Sequence, residues 1–261
     1  MTSDTRLEGL NVLVLGGGSG IGRGAALAYR ESGARVVVVE RSADNAASLA
    51  AEPGIEVMVG DATDSAVISE SIHRATAEGA ALSNVTCCVG VFDHYASLRT
   101  LDESDFAAAA QEMWRLNVLS ALSAARSAWP ALRDARGSLT FTLSESAFHP
   151  VGGGVLYGSS KWALRGVIAH LSADFAPEVR VNGVAPGGTS GTSFSGLAAL
   201  SQDTLSVAAS AGRDERIAKG TLLKSTPTPQ DHGSAYVYLA DPIGARIITG
   251  AVINSDGGRA R

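Results

Sequence analysis

Residues 11–15, NVLVL, run without a break into GGGSGIGRGAALAYRESGA, and this junction constrains the fold more than any other stretch. A short apolar run of this kind suits a parallel strand buried on both faces. Glycines 16, 17, 18, 20 and 22 make a tight turn, and residues 23–31 read as a helix ending at Gly33. Glycine is needed where backbone approaches a pyrophosphate, and the exposed N–H groups of a helix start bind the anion. The spacing is Gly16-x-x-x-Gly20-x-Gly22; a GxGxxA match from Gly20 to Ala25 starts inside the turn and is rejected. Many glycine-rich turns bind nothing, so the strand–turn–helix setting gives the motif its weight. It makes Gly16, Gly18, Ser19, Gly20, Ile21 and Gly22 the candidate phosphate-side residues.

The alternation continues along the chain. Strands are expected at 35–39, 55–59, 84–89, 138–143, 179–184 and 248–253. Helices are expected at 42–51, 65–78, 155–176 and 230–240, with an Ala-rich helical region at 101–132 whose exit Pro130 marks. This pattern predicts an α/β fold, a parallel sheet covered by helices on both faces. The 261 residues are 45% hydrophobic and 18% charged, enough for a large core. No linker or repeat divides them, which predicts one domain over 1–261.

Ligands of such sheets sit at the carboxyl ends of the strands. Glu40 ends the second strand, where a carboxylate fits adenosine ribose hydroxyls and repels a 2′-phosphate. Arg41 could tolerate that phosphate, but Ser19 is not basic, so the pattern favours NAD over NADP. The competing reading of Glu40 is a solvated strand-end carboxylate. Asp61, Ala62, Gly90, Pro186, Gly187 and Thr189 fall at or just beyond other strand ends, and Ser144 closes the strand at 138–143. Tyr157 and Lys161, four residues apart, share one helix face. A phenol titrates near pH ~10 alone, and a fixed ammonium lowers that value toward working pH. The stretch reads as a proton-transfer site, or else as an ordinary helix start with a surface lysine.

The net charge of −5 and the lack of a basic run argue against nucleic acid as a partner. The apolar runs are too short to span a membrane. The start, MTSDTRLEG, has no apolar core, and two adjacent cysteines suit a reducing compartment, so a cytoplasmic location is expected. Five scattered histidines and no Cys/His cluster predict no metal site.

Gly16-x-x-x-Gly20-x-Gly22, Asn117, Ser144, Tyr157-x-x-x-Lys161 and Pro186-Gly187 resemble, in order and spacing, the motifs of the short-chain dehydrogenase/reductase family. Within it the chain is most similar to bacterial cis-dihydrodiol dehydrogenases. That narrower likeness rests on Phe92-Asp93-His94-Tyr95-Ala96-Ser97-Leu98, Phe141-Thr142-Leu143-Ser144, Pro150 with Gly152-Gly153-Gly154, Arg180-Val181-Asn182-Gly183-Val184 and Asp256-Gly257-Gly258. The resemblance implies a Rossmann-type doubly wound sheet and an NAD(H)-dependent oxidoreductase acting on a secondary alcohol or ketone, oxidising a cis-dihydrodiol to a catechol. It gives Tyr157 the proton transfer, Lys161 the phenol and the ribose, and Ser144 the substrate oxygen. Asn117 would hold a water relay, Asp61 would meet the adenine amine, and Gly90 would pack on the adenosine. Backbone at 186–189 would meet the nicotinamide amide. It also implies a homotetramer, in which Ala107–Ala110, Ala121, Ala124, Ala125 and Ala128 would allow close approach between helices.

Three residues depart from the family's pattern. Leu15 stands where the family usually has Thr, and Cys88-Val89-Gly90 where it has Asn-Ala-Gly, which predicts that a polar contact between facing positions has become apolar. Glu145 follows Ser144 where dihydrodiol dehydrogenases carry Asn, and a carboxylate there disfavours a carboxylated substrate. Residues 189–224 form the expected lid, with a helical piece near 196–219. His94, Glu145, Phe148, His149, Val151 and the lid are the expected substrate walls, with Ser144 and Tyr157 at the reacting oxygen. The alternatives are a ketone or 3-oxoacyl thioester reductase, which would prefer NADPH, and a non-catalytic dinucleotide-binding regulator.

Overall fold

The computed structural model describes residues 5–192, 194–206 and 212–259. Among the described residues seven parallel strands form one sheet: β1 Asn11–Leu15, β2 Arg35–Glu40, β3 Ile55–Val59, β4 Leu82–Cys87, β5 Ser138–Thr142, β6 Arg180–Pro186 and β7 Val252–Ser255, in the order β3-β2-β1-β4-β5-β6-β7. The helices are α1 Gly20–Glu31, α2 Ala43–Ala50, α3 Ser65–Ala75, α4 Glu103–Trp114, α5 Ser120–Ala135, α6 Val155–Asp174, α7 Arg213–Gly220 and α8 Gly233–Ala240. The strand order reverses between β1 and β4, which opens a crevice at their carboxyl ends.

Alternate side chains of a strand point to opposite faces, and the core divides accordingly. Leu13 and Leu15 join Ile68 of α3, Leu132 of α5 and Ile168 of α6 on one face. Val12 and Val14 join Tyr29 of α1, Leu49 of α2 and Tyr236 of α8 on the other. Full burial of each aliphatic side chain contributes about 1.5–3 kcal/mol. Buried polar groups between these layers are paired: Tyr29 Oη with Thr86 Oγ1 at 2.6 Å, Thr86 Oγ1 to Asn84 Oδ1 at 2.8 Å, and Asn84 Nδ2 to Ser138 Oγ at 2.9 Å.

Several element bounds differ from the sequence reading. The first helix begins at Gly20 rather than residue 23, so two of the turn glycines lie in its first turn. Pro130 lies inside α5 rather than at its exit; it and Arg126, whose carbonyl it cannot serve, are both exposed to solvent. The last strand starts at Val252, because Gly250 at φ +74° turns the chain after Ile248. Of the expected helix near 196–219, only α7 and a single turn at Ala198–Leu200 are helical, and residues 207–211 lie outside the described residues. The alanine reading is corrected in part. Ala109, Ala121, Ala124, Ala125 and Ala128 are buried in this chain's own core, while Ala107 and Ala108 are exposed and Ala110 is half-buried. Phe106, Trp114, Leu119 and Leu122 are exposed large apolar side chains of α4, α5 and the turn between them.

Candidate active site

A cleft of about 850 Å³ opens at the carboxyl ends of the strands. At one end lies the glycine turn. The N–H groups of Gly16 and Gly17 donate to the Val39 carbonyl at 2.9 and 3.2 Å, which pins the turn to β2. A Cβ at Gly22 would overlap the Gly16 carbonyl oxygen, and Gly20 has φ +50°, so both positions require glycine. Ser19 is the N-cap of α1 but its side chain caps nothing, and no acidic residue stands in the first turn. The first N–H groups of α1 therefore remain available to an anion. Gly16, Ser19, Gly20, Ile21 and Gly22 line the cleft. Gly18 lies behind it and donates its N–H to Glu40 Oε2 at 2.9 Å.

Glu40 lines the cleft and is only 7% exposed. Its other oxygen accepts the Ser42 N–H at 2.9 Å, so the carboxylate is held at both ends and is not a freely solvated strand end. Asp61, Ala62, Gly90, Pro186, Gly187 and Thr189 also line the cleft. Asp61 Oδ1 closes its own turn by accepting the Thr63 N–H and hydroxyl, both at 2.8 Å. Thr189 donates to the Gly187 carbonyl at 2.9 Å and contacts buried His232 Nε2 at 2.9 Å.

Ser144, Tyr157 and Lys161 line the same cleft. Ser144 Oγ accepts the Ser146 N–H at 3.2 Å and donates to Ser146 Oγ at 3.1 Å. Tyr157 is buried, with Phe92 and Phe194 edge-on to its ring at 5.3 and 5.9 Å. Lys161 Nζ donates to the Thr142 carbonyl at 3.1 Å and lies 5.7 Å from the Tyr157 ring centroid. The expected depression of the phenol by Lys161 is not what this geometry produces. Burial raises the Tyr157 phenol above its ordinary value; the neighbouring Ser144 hydroxyl opposes this, and the charges of Asp93 and Glu145 and the Tyr95 phenol add to it. Lys161 is itself lowered to about 8 by burial, and its ammonium bonds a carbonyl rather than the phenol.

Asn117 sits in a π-helical turn, Arg115–Leu119, between α4 and α5. It is not bonded merely to its own helix. Its Oδ1 accepts the Val91 N–H at 2.8 Å, and its Nδ2 donates to the Val91 carbonyl at 3.1 Å and to Ser160 Oγ at 2.9 Å. The side chain thus clasps the strand end beside Gly90 to the helix of Tyr157. Such π-turns recur at functional sites.

Of the expected substrate walls, His94, Glu145 and Val151 line the cleft; His149 and Phe148 do not. Phe148 packs on the core, with the Arg165 guanidinium 4.5 Å over its ring. Glu145 Oε2 accepts from Arg259 Nη1 at 3.2 Å, so the carboxylate beside Ser144 is not a lone charge. Phe92, Tyr95, Phe194, Arg213 and Arg259 are lining residues that sequence reasoning did not propose as walls by themselves. Phe92 and Tyr95 lie in a quoted motif; Arg259 carries no local signal. The reading of Leu15 and Cys88 as facing positions is corrected. Leu15 is in register with Cys87, and the link to Cys88 is from its backbone N–H to the Leu15 carbonyl at 2.8 Å. The Cys88 thiol packs on the opposite face, 3.1 Å from Thr142 Oγ1.

A family model described as short chain dehydrogenase matches residues 10–200. The chain is 36% identical over 258 residues to a cis-1,2-dihydrobenzene-1,2-diol dehydrogenase of Pseudomonas putida, covering 97% of this chain and 92% of that protein. It is 35% identical over 256 residues to a 3-phenylpropionate-dihydrodiol/cinnamic acid-dihydrodiol dehydrogenase of Escherichia coli, covering 97% and 94%. Among solved structures, a short-chain dehydrogenase/reductase from Serratia marcescens superposes with a TM-score of 0.79 at 26% identity, covering 97% of this chain and 98% of that one. A 3-ketoacyl-(acyl-carrier-protein) reductase from Brucella melitensis complexed with NADH superposes with a TM-score of 0.81 at 20% identity, covering 98% and 100%, and shares the fold.

Proposed function

The chain belongs to the short-chain dehydrogenase family, and on that premise we propose that it oxidises a cis-dihydrodiol to a catechol with NAD. The observation that carries this reading is the meeting of Ser144, Tyr157 and Lys161 in one cleft with the glycine turn and Glu40.

The residues fit a nicotinamide dinucleotide. The uncapped start of α1 suits its pyrophosphate, and the fixed Glu40 carboxylate suits ribose hydroxyls while opposing a 2′-phosphate. Lys161 uses one of its three donors on Thr142, which leaves two for ribose hydroxyls. When bound, the nicotinamide supplies the hydride acceptor. The chain supplies position and one proton transfer. Ser144 holds the reacting hydroxyl and stabilises charge on its oxygen. Tyr157 exchanges the hydroxyl proton while Asn117 and Ser160 hold its helix against the strand end. Phe92, Tyr95 and Phe194 offer aromatic surface to a flat ring, and aromatisation of the product favours oxidation.

The names of the relatives support a dihydrodiol as substrate. The test follows NAD reduction with cis-benzene dihydrodiol, a carboxylated dihydrodiol and simple secondary alcohols. Turnover of a dihydrodiol upholds the proposal; cofactor binding without turnover of any alcohol overturns it in favour of a binding-only role. The lid, residues 189–224, is part of the proposal: Phe194 stacks on Phe92 at 5.8 Å, and Arg213 donates to the Thr189 carbonyl at 2.6 Å. So is a homotetramer, with Phe106, Trp114 and Leu122 rather than the buried alanines at its contacts. A cytoplasmic location is proposed from the two free thiols, Cys87 and Cys88. Among the described residues no helix is long and apolar enough to cross a membrane.

A further inference from the structure

Asp93 follows β4 and is fully buried. Its Oδ1 accepts the N–H groups of Gly154 at 2.7 Å and Tyr95 at 3.2 Å; its Oδ2 accepts the N–H of Tyr157 at 3.0 Å. Gly154 is the N-cap of α6 and makes no side-chain cap bond. Asp93 therefore caps this helix from 61 residues away in sequence, and its charge lies at the favourable end of the helix dipole. A Cβ at Gly154 would come within 2.6 Å of Asp93 Oδ2, so glycine there admits the carboxylate. The next two residues, His94 and Tyr95, have φ of +43° and +61°, left-handed values that cost a non-glycine residue energy and persist where surroundings enforce them. The Asp93 carboxylate and its carbonyl, which accepts the Ala96 N–H at 2.8 Å, close that turn.

We propose that Asp93 is a positioning residue for proton transfer: its carboxylate fixes the helix turn that carries Tyr157 and joins it to the aromatic wall of the cleft. Its charge also works on the phenol. Facing Tyr157 are Asp93 and Tyr95 from the loop after β4, Glu145 from the loop after β5 with its partner Arg259, and Lys161 from α6 itself. His94 lies on the same wall, and Arg213 approaches Tyr95 from α7. Of the two carboxylates, Asp93 has no ion-pair partner among the described residues, and it opposes ionisation of the phenol. A single group thus holds the catalytic turn in place and keeps the phenol protonated to higher pH.

The inference rests on Tyr157 as the proton-transfer group, so its test carries one activity readout and one that needs no activity. With saturating NAD and cis-benzene dihydrodiol, Asp93→Asn should lower kcat by roughly tenfold or more. It should also move the acid limb of kcat/KM down by roughly one pH unit. Asp93→Glu keeps the charge on a longer arm; it should lose kcat while the limb stays in place, and it carries the test if Asp93→Asn does not fold. Amide hydrogen exchange at residues 154–158 should quicken in both variants. An unmoved limb in Asp93→Asn, or a shifted limb in Asp93→Glu, or unchanged exchange at Tyr157 overturns the inference. If the wild type oxidises no alcohol while exchange still quickens, the positioning role stands and the proposed function alone fails.

Discussion

Gly18 donates its backbone N–H to Oε2 of Glu40 at 2.9 Å, so the glycine turn and the end of β2 act as one unit. A Cβ at Gly18 would overlap the Glu40 side chain. Cofactor choice is thereby coupled to the turn. Glu40→Ala removes the acceptor of two N–H groups, each such charged hydrogen bond being worth about 1.5–3 kcal/mol. The expected outcome is a loss of NAD affinity of roughly tenfold or more and a shift of preference toward NADP. Gly18→Ala should weaken NAD in the same direction. Fluorescence titration with the two reduced cofactors measures both.

Lys161 is a buried charge, and its replacement separates stability from activity. Its folded-state value of about 8 lies below the ordinary 10.5, so between these values the unfolded chain binds more protons and stability rises with pH. At pH 7 the buried ammonium costs on the order of 3 kcal/mol. Lys161→Met should therefore raise the pH 7 melting temperature and flatten its rise between pH 8 and 10.5, while abolishing turnover. Calorimetry across that range, beside an NAD-reduction assay, checks both.

His232 joins two elements: its Nε2 lies 2.9 Å from Thr189 Oγ1 and its Nδ1 2.8 Å from Ser255 Oγ. Burial lowers the imidazole below its ordinary value. Stability from this group is thus present above pH ~6.5 and lost as pH falls through the folded-state value. His232→Gln should flatten the acid side of the melting-temperature profile, and His232→Phe, which removes the side-chain partner of Thr189, should raise KM for NAD.

Glu145 and Arg259 neutralise one another across the cleft at 3.2 Å. Glu145→Gln frees the guanidinium and removes the charge that opposes a carboxylated substrate. The expected result is a severalfold gain in kcat/KM for a carboxylated dihydrodiol relative to cis-benzene dihydrodiol. Steady-state kinetics with both substrates measures the ratio.

The features legible in the sequence are those written in local patterns. Bare glycine backbone after an apolar run, an acidic residue closing β2, and Tyr157 four residues before Lys161 each state their geometry within a few positions. Asp93, His232 and Arg259 did not, because each acts on a group 43 to 114 residues distant in sequence, brought close by the sheet. The Leu15–Cys88 reading failed by a single position, and in a strand one position exchanges the faces. The tuning of Tyr157 was misjudged because spacing along α6 reveals a neighbouring ammonium but not the burial that outweighs it.

The central claim is that the Tyr157 phenol exchanges the substrate proton in NAD-dependent oxidation of a cis-dihydrodiol. Its most direct test is the rate of NAD reduction with cis-benzene dihydrodiol for wild type and Tyr157→Phe, with NAD affinity measured alongside. Phe keeps the ring packing on Phe92 and Phe194, and removes only the hydroxyl. The predicted result is wild-type turnover, NAD binding within about threefold, and a loss in kcat of at least about 100-fold in the variant. Wild-type kcat in Tyr157→Phe would contradict the account.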